Sequence, residues 1–368
     1  MLRTLAAVVA GEPVDPPAPG HEQLFLDLAR EHRVEQLAAW RICAQDRSLV
    51  PWFGDAADTL RQDARTLSLV DAVRNREITA IVASLATVEG AQPLLFKGAA
   101  LAHSHYPQSW LRPRLDTDLL ISPASTEPVF EALRAAGYAR TTSTSGAFVV
   151  SQASFTRTDS YGVTHALDVH WRIANWQIIA RVSTHADLAS RSVALPALGP
   201  SARTVSEPDA LLLACLHRAA HHRDSAELLW LYDIHLIAQR LTAADWTFLA
   251  AAAERGAVKA ICARGMSLAS DYFGSRVPTE VMNRLAAGDS EPSAIYLSKD
   301  VRLVDGLWSD LRALPLRDRV RLLSEHAFPP AEYIRKKYGV TSRASLLLSY
   351  ARRIAAGVPR WFAPGNWS

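Results

Sequence analysis

Leu94-Leu95-Phe96-Lys97-Gly98-Ala99-Ala100-Leu101 is where the chain changes character. A short, fully apolar run ends at a Lys-Gly pair and passes at once into an alanine-rich stretch, which reads as strand, tight turn and helix. Before it, apolar residues recur at helical spacing over Glu22–Asp46 and again over Leu60–Glu89. After it, Asp116-Thr117-Asp118-Leu119-Leu120-Ile121-Ser122 reads as a second strand. A helix follows, with Thr126 as its N-cap, and ends near Gly137. Phe148–Phe155 and Val163–Ile173 are further β-rich stretches, and helical periodicity returns over Glu207–Arg223, Ser225–Arg240, Ala243–Arg255 and Val258–Phe273. The pattern predicts an α+β protein. An N-terminal helical segment (1–75) precedes an α/β core (76–200), a helical domain (201–310) and a helical tail (311–368).

The chain has 368 residues, 49% apolar and 21% charged, which excludes wholesale disorder, a collagen-like fibre and a disulfide-framed miniprotein. No apolar run approaches the ~18–20 residues a membrane-spanning helix needs. Cys43, Cys215 and Cys262 are far apart and odd in number, so they read as core hydrophobes in a reducing compartment. The apolar run Leu5–Ala10 is short for a signal peptide and Glu12 follows it, so a cytoplasmic protein is expected. Charge is uneven. From Leu311 onward 11 Lys/Arg face three acids (Asp318, Glu325, Glu332), a net of +8, within a chain whose total is +3. Over Ala344–Arg360, Leu346, Leu347, Tyr350, Ile354 and Ala355 stand against Arg343, Arg352, Arg353 and Arg360. Such a helix docks on a partner or an anionic membrane surface, or packs on the core with a solvated face.

Several chemistries are absent from the sequence. There is no Gly-x-Gly, Walker A, His-Glu-x-x-His, Gly-x-Ser-x-Gly or Cys-x-x-Cys, so dinucleotide, kinase, P-loop, zincin and serine-hydrolase readings fall away. What remains is Lys97-Gly98, then Arg112-Pro113-Arg114-Leu115-Asp116-Thr117-Asp118, then Leu167-Asp168-Val169. Alternation on a strand points Asp116 and Asp118 to one face. Paired carboxylates there repel unless a divalent cation lies between them, and Mg²⁺ is the hard-oxygen match. Asp168 on a neighbouring strand would complete a two-metal site for phosphoryl displacement. A helix starting at Lys97-Gly98 offers backbone N–H groups to a triphosphate, with Lys97, Arg112 and Arg114 to offset its charge. The plainer readings are turn and cap roles for Asp116 and Asp118, an outward-facing Asp168, and a Lys97 that only ion-pairs with Asp116 or Asp118. His217 and His221, four apart, could ligate a metal, but packing or substrate contact is favoured. Trp230 and Asp233 share a helix face and read as anchors of the helical domain, ahead of a base-stacking platform.

This ordered set resembles the DNA polymerase β-like nucleotidyltransferase superfamily, and its Lys-Gly-x-x-Leu form resembles the AbiEii/MenT-type branch. More closely, residues 30–340 resemble the family of uncharacterised nucleotidyltransferases. The marks include Glu31-His32-Arg33-Val34-Glu35, Asn75-Arg76, Lys97-Gly98-Ala99-Ala100-Leu101, Arg114-x-Asp116-x-Asp118, His217-x-x-x-His221, Leu229-Trp230-Leu231-Tyr232-Asp233 and Phe328-Pro329-Pro330. The resemblance implies a small mixed sheet with flanking helices and transfer of a nucleoside monophosphate from an NTP, ATP by default. It implies that Lys97, Gly98 and Ala99 form the nucleotide turn, that Asp116 and Asp118 hold Mg²⁺ or Mn²⁺, and that Asp168 is the third carboxylate. The acceptor is expected to be a small molecule, peptide or sugar ahead of RNA. The alternatives are a catalytically silent nucleotide- or partner-binding protein on the same core, or an RNA-directed transferase. Where the superfamily has Gly-Ser or Gly-Gly, this chain has Gly98-Ala99, so the missing hydroxyl falls to a backbone amide or to Lys97.

Overall fold

The computed structural model describes residues 1–16, 18–45, 50–54, 56–141, 148–288, 290–298 and 302–362. Seven strands form one open mixed sheet: β1 (Leu94–Leu95), β2 (Thr117–Leu120), β3 (Ala139–Arg140), β4 (Gln152–Thr158), β5 (Thr164–His170), β6 (Val193–Ala194) and β7 (Arg203–Thr204). Their order is β3-β4-β5-β2-β1-β7-β6. β2 lies antiparallel to β1 and parallel to β5, in a register that sets Asp118 beside Asp168. Because side chains alternate along a strand, that register fixes both carboxylates on one face.

The two faces bury different partners. Leu95, Leu119, Leu167, Val169 and Phe155 pack against Ile78, Ile81 and Leu85 of helix Ala56–Leu85 and Phe130 and Leu133 of helix Thr126–Ala135. On the other face Leu94, Phe96 and Leu120 meet Leu212 and Leu216 of helix Glu207–His222, backed by helices Leu228–Ala238, Ala243–Arg255 and Lys259–Phe273. The carboxylate face therefore lies under the helical bundle. Cys215 and Cys262 are free and buried in that bundle.

The helix expected over Glu22–Asp46 is broken, and Asp46 lies outside the described residues. Helices Glu22–Glu31 and Glu35–Trp40 meet at Arg33, which is left-handed (φ 55°), and a π-helical turn follows over Arg41–Gln45. The break has a tertiary cause: His32 presents its carbonyl to Leu229 N (3.3 Å) and its Nδ1 to Leu228 N (3.3 Å), capping the next helix in space. Leu5, Val9, Phe25 and Leu37 accordingly share a core with Leu228, Leu229, Leu231 and Phe273. Thr126 is the first residue of its helix and Ser125 is the N-cap; the Thr126 hydroxyl donates back to Pro123 O (2.8 Å). β4 begins at Gln152, after a turn at Phe148, and residues 142–147 fall outside the description.

The tail expected at Ala344–Arg360 is a helix over Arg343–Phe362, preceded by helices Leu303–Ala313, Leu316–Ala327 and Ala331–Tyr338. Among the described residues no helix is long and apolar enough to cross a membrane. Truncating the fully buried Leu229 leaves a cavity in the core shared by the N-terminal helices and the bundle. Leu229→Ala is expected to cost about 3 kcal/mol, with both regions lost in a single unfolding transition by circular dichroism in urea.

Candidate active site at the Lys97 turn

β1 ends at Phe96, whose N–H donates to Asp118 O (3.3 Å), and helix Lys97–Ser104 begins at once. The turn is strained at an unexpected residue. Lys97 is left-handed (φ 53°), whereas Gly98 does not have positive φ. A lysine there costs about 1 kcal/mol or more relative to glycine. Its ammonium is held in place: Nζ donates to Asp118 Oδ1 (2.8 Å) and lies 4.7 Å from the Phe96 ring centroid. Gly98 is needed for room. A Cβ on it would lie 2.5 Å from Arg112 Nη1, so the guanidinium packs directly on the turn.

Asp118 Oδ1 also meets His170 Nε2 at 2.8 Å, and His170 Nε2 lies 3.5 Å from Lys97 Nζ. Asp118, Asp168 and His170 bring one ligand atom each to within 4.8 Å of one another. Burial raises the Asp118 carboxyl, but Lys97 and His170 outweigh it and hold the group well below the carboxylate range. Asp116, one residue before β2, lies outside the tight cluster yet within its field. Burial, then Asp118 and Asp168, push its carboxyl up to about 6. Burial and Lys97 lower His170, leaving a neutral imidazole near neutral pH. Two neighbouring carboxylates and an imidazole within 4.8 Å of one another make a donor set that fits a divalent ion.

The two arginines divide. Arg112 makes a buried bidentate pair with Asp233 (Nε to Oδ1 3.1 Å, Nη2 to Oδ2 2.7 Å), and Tyr106 Oη donates to the same carboxylate (2.8 Å). Arg114 turns away to Asp71 and to Asn75 Oδ1 (2.8 Å), bracing the loop against helix Ala56–Leu85. Asp233 thus anchors the bundle to the turn, as its helix position predicts.

Across from Lys97 stands the last turn of helix Glu207–His222. His222 stacks on Trp230 with ring centroids 4.4 Å apart, and its Nε2 lies 3.1 Å from His217 Nε2. The Arg33 and Arg112 guanidinium carbons lie 5.2 and 5.6 Å from the same indole. Trp230 is therefore packed by the protein's own side chains. Burial, then Lys97, lowers His217 well below its usual range and His221 to about 3, while burial and Arg33 lower His222 to about 4. His217, Trp230, Lys97 and Arg112 line one end of a cleft of about 310 Å³, whose other walls include Leu101, Leu195 and Leu213.

Sequence reasoning missed His170, although the signal was present: it stands two residues after Asp168 and so shares its face. The fold and this site define a nucleotidyltransferase core, with a glycine-bearing turn after β1, an Asp-x-Asp that straddles the start of β2 and a third carboxylate on the parallel neighbour. The profile of the family described as "Uncharacterised nucleotidyltransferase" matches residues 19–274, more than half of the chain. The chain belongs to that family and is a nucleotidyltransferase. A comparison with curated proteins gives no match.

Two outcomes are expected. Gly98→Ala drives a methyl into Arg112 and should cost about 1–3 kcal/mol by urea denaturation, with transfer activity falling with it. The second concerns acid. An unfolded histidine takes up its proton near 6.5, whereas folded His221 and His222 do so only near 3 and 4. Their contribution is complete above pH 6.5 and lost as pH falls below it, by about 1 kcal/mol per pH unit for each histidine. His221→Asn should flatten that slope in melts run from pH 7 to 4.5.

Proposed function

We propose that the chain transfers a nucleoside monophosphate from an NTP, with ATP as the first candidate, to an acceptor hydroxyl or phosphate. The observation that carries this reading is electrostatic. Helix Lys97–Ser104 starts with no side-chain cap, yet the Lys97 ammonium and Arg112 guanidinium stand at its positive end. Asp118 and Asp233 already pair with these two cations, so what is left open to a further anion is the uncapped start of the helix between them. A triphosphate would supply that anion and accept from the N–H groups of Gly98 and Ala99.

Asp118, Asp168 and His170 would hold a divalent cation, Mg²⁺ or Mn²⁺, with Asp116 at its edge. Such an ion would supply charge neutralisation for the phosphates and acidify the acceptor. The remaining chemistry belongs to the chain. Asp168 orients the acceptor oxygen, a new O–P bond forms at the α-phosphorus, and the bond from that phosphorus to pyrophosphate breaks. The acceptor proton passes to a carboxylate, with Asp168 and the raised Asp116 as the candidates. Lys97 and Arg112 offset the charge that grows on pyrophosphate. Arg114 acts by bracing the loop that carries Asp116 and Asp118. The cleft beyond Lys97 is large enough for a nucleoside, with His217 in its wall, and His221 lines a small pocket that shares Lys97, Leu213 and His217 with it. A small molecule, peptide or sugar acceptor is favoured over RNA.

The test uses purified protein with each α-labelled NTP and Mg²⁺ or Mn²⁺. Label is expected on the protein or a co-purified acceptor, and Asp118→Asn and Asp168→Asn should each lower transfer at least about a hundredfold; Asp168→Asn should do so without lowering the melting temperature, whereas Asp118→Asn also leaves Lys97 unpaired and lowers it. Absence of metal-dependent NTP binding by folded protein would reject the reading.

A further inference from the structure

The tail helices turn apolar residues toward solvent. On Leu316–Ala327, Leu322 faces inward to Leu307 and Leu314. Leu316, Val320 and Leu323, at i, i+4 and i+7, form a second stripe that is 75%, 63% and 44% exposed. Leu347, Leu348 and Ile354 are likewise exposed on Arg343–Phe362. A helix that uses one apolar face for its own core needs no second one, so the outer stripe calls for a partner.

The surrounding charge says which. Arg317, Arg319, Arg321, Lys336, Lys337 and Arg343 are exposed on these helices. Glu325 turns inward and accepts from Phe148 N (2.7 Å) and Val149 N (3.2 Å). Of the three tail acids only Glu332 is fully exposed. Phosphates of RNA would satisfy the cations but leave leucines and valine in water. A bilayer with anionic headgroups satisfies both, taking the aliphatic stripe into its boundary and the arginines and lysines at its phosphates.

The tail is also a fixed platform. Asp310 accepts from Ile178 N (3.0 Å), and Gln177 Nε2 donates to Phe148 O (2.7 Å). The Gln177 bond ties the two core segments to each other, Asp310 holds the helix that leads into the tail, and Glu325 fastens the tail itself to the segment before β4, next to the strands that carry Gln152, Asp168 and His170. Whatever holds the tail holds the site in a set orientation.

We propose that the exposed apolar stripes of Leu316–Ala327 and Arg343–Phe362, with the cations around them, dock this protein on an anionic phospholipid surface. The full chain is sedimented with vesicles of phosphatidylcholine alone, or with about a third phosphatidylglycerol, at low and moderate salt. Binding to the anionic vesicles is expected to exceed binding to neutral ones at least tenfold and to weaken with salt. The triple variant Leu316→Glu, Val320→Glu, Leu323→Glu and, separately, Leu347→Glu with Leu348→Glu should each lose at least tenfold, with an unchanged circular dichroism melt. Four results would overturn the proposal. They are no binding by folded protein, equal binding to neutral vesicles, binding retained in both variants, and displacement from vesicles by single-stranded RNA. A dimer seen by light scattering and abolished by the triple variant would instead make the stripe a contact between copies.

Discussion

One oxygen organises the site. Asp118 Oδ1 takes the Lys97 ammonium at 2.8 Å and His170 Nε2 at 2.8 Å. The first contact ties the turn after β1 to β2, and the second ties β2 to β5, so three chain segments meet at a single buried carboxylate. Charge-assisted bonds in a dry environment are strong when satisfied and costly when broken. That asymmetry lets Lys97 persist in a left-handed conformation that glycine would adopt without strain. The strain is spent on aim: the ammonium reaches Asp118 while the helix that begins there keeps its N–H groups open.

A second buried pair works from the opposite side. Arg112 and Asp233 join the turn to the bundle, and Gly98 leaves the space that allows it. Around them, burial keeps His217, His221 and His222 neutral near neutral pH. Lys97 and Arg112 are therefore the cations at the turn, which suits a polyanionic substrate. His217 Nδ1 and His221 Nε2 are buried with no hydrogen-bond partner among the described residues.

Part of this was legible along the chain because it is local. Leu94-Leu95-Phe96 followed by Lys97-Gly98 shows its strand and turn within five residues, and the alternation of Asp118 with Leu119 shows which face of β2 each takes. The pairing of Lys97 with Asp118, weighed as the plainer reading, is present together with the cluster. Other features were not legible along the chain because their causes are distant. The break at Arg33 exists because His32 caps Leu228 and Leu229, almost two hundred residues away. Gly98 reads as a phosphate turn, yet its structural demand comes from a guanidinium fourteen positions on. Arg114 reads as a phosphate ligand, and Asp71 and Asn75 take it instead.

The sequence by itself determined the element types, the α+β class and the identity of the acids and cations, since each follows from periodicity or side-chain chemistry. Tertiary structure decided the rest. The parallel register of β2 and β5 made neighbours of Asp118, Asp168 and His170, and packing chose which arginine meets the turn and which braces a helix. The physical reason is desolvation. Buried charges must find partners, and which partner is within reach depends on how segments far apart in the chain are stacked.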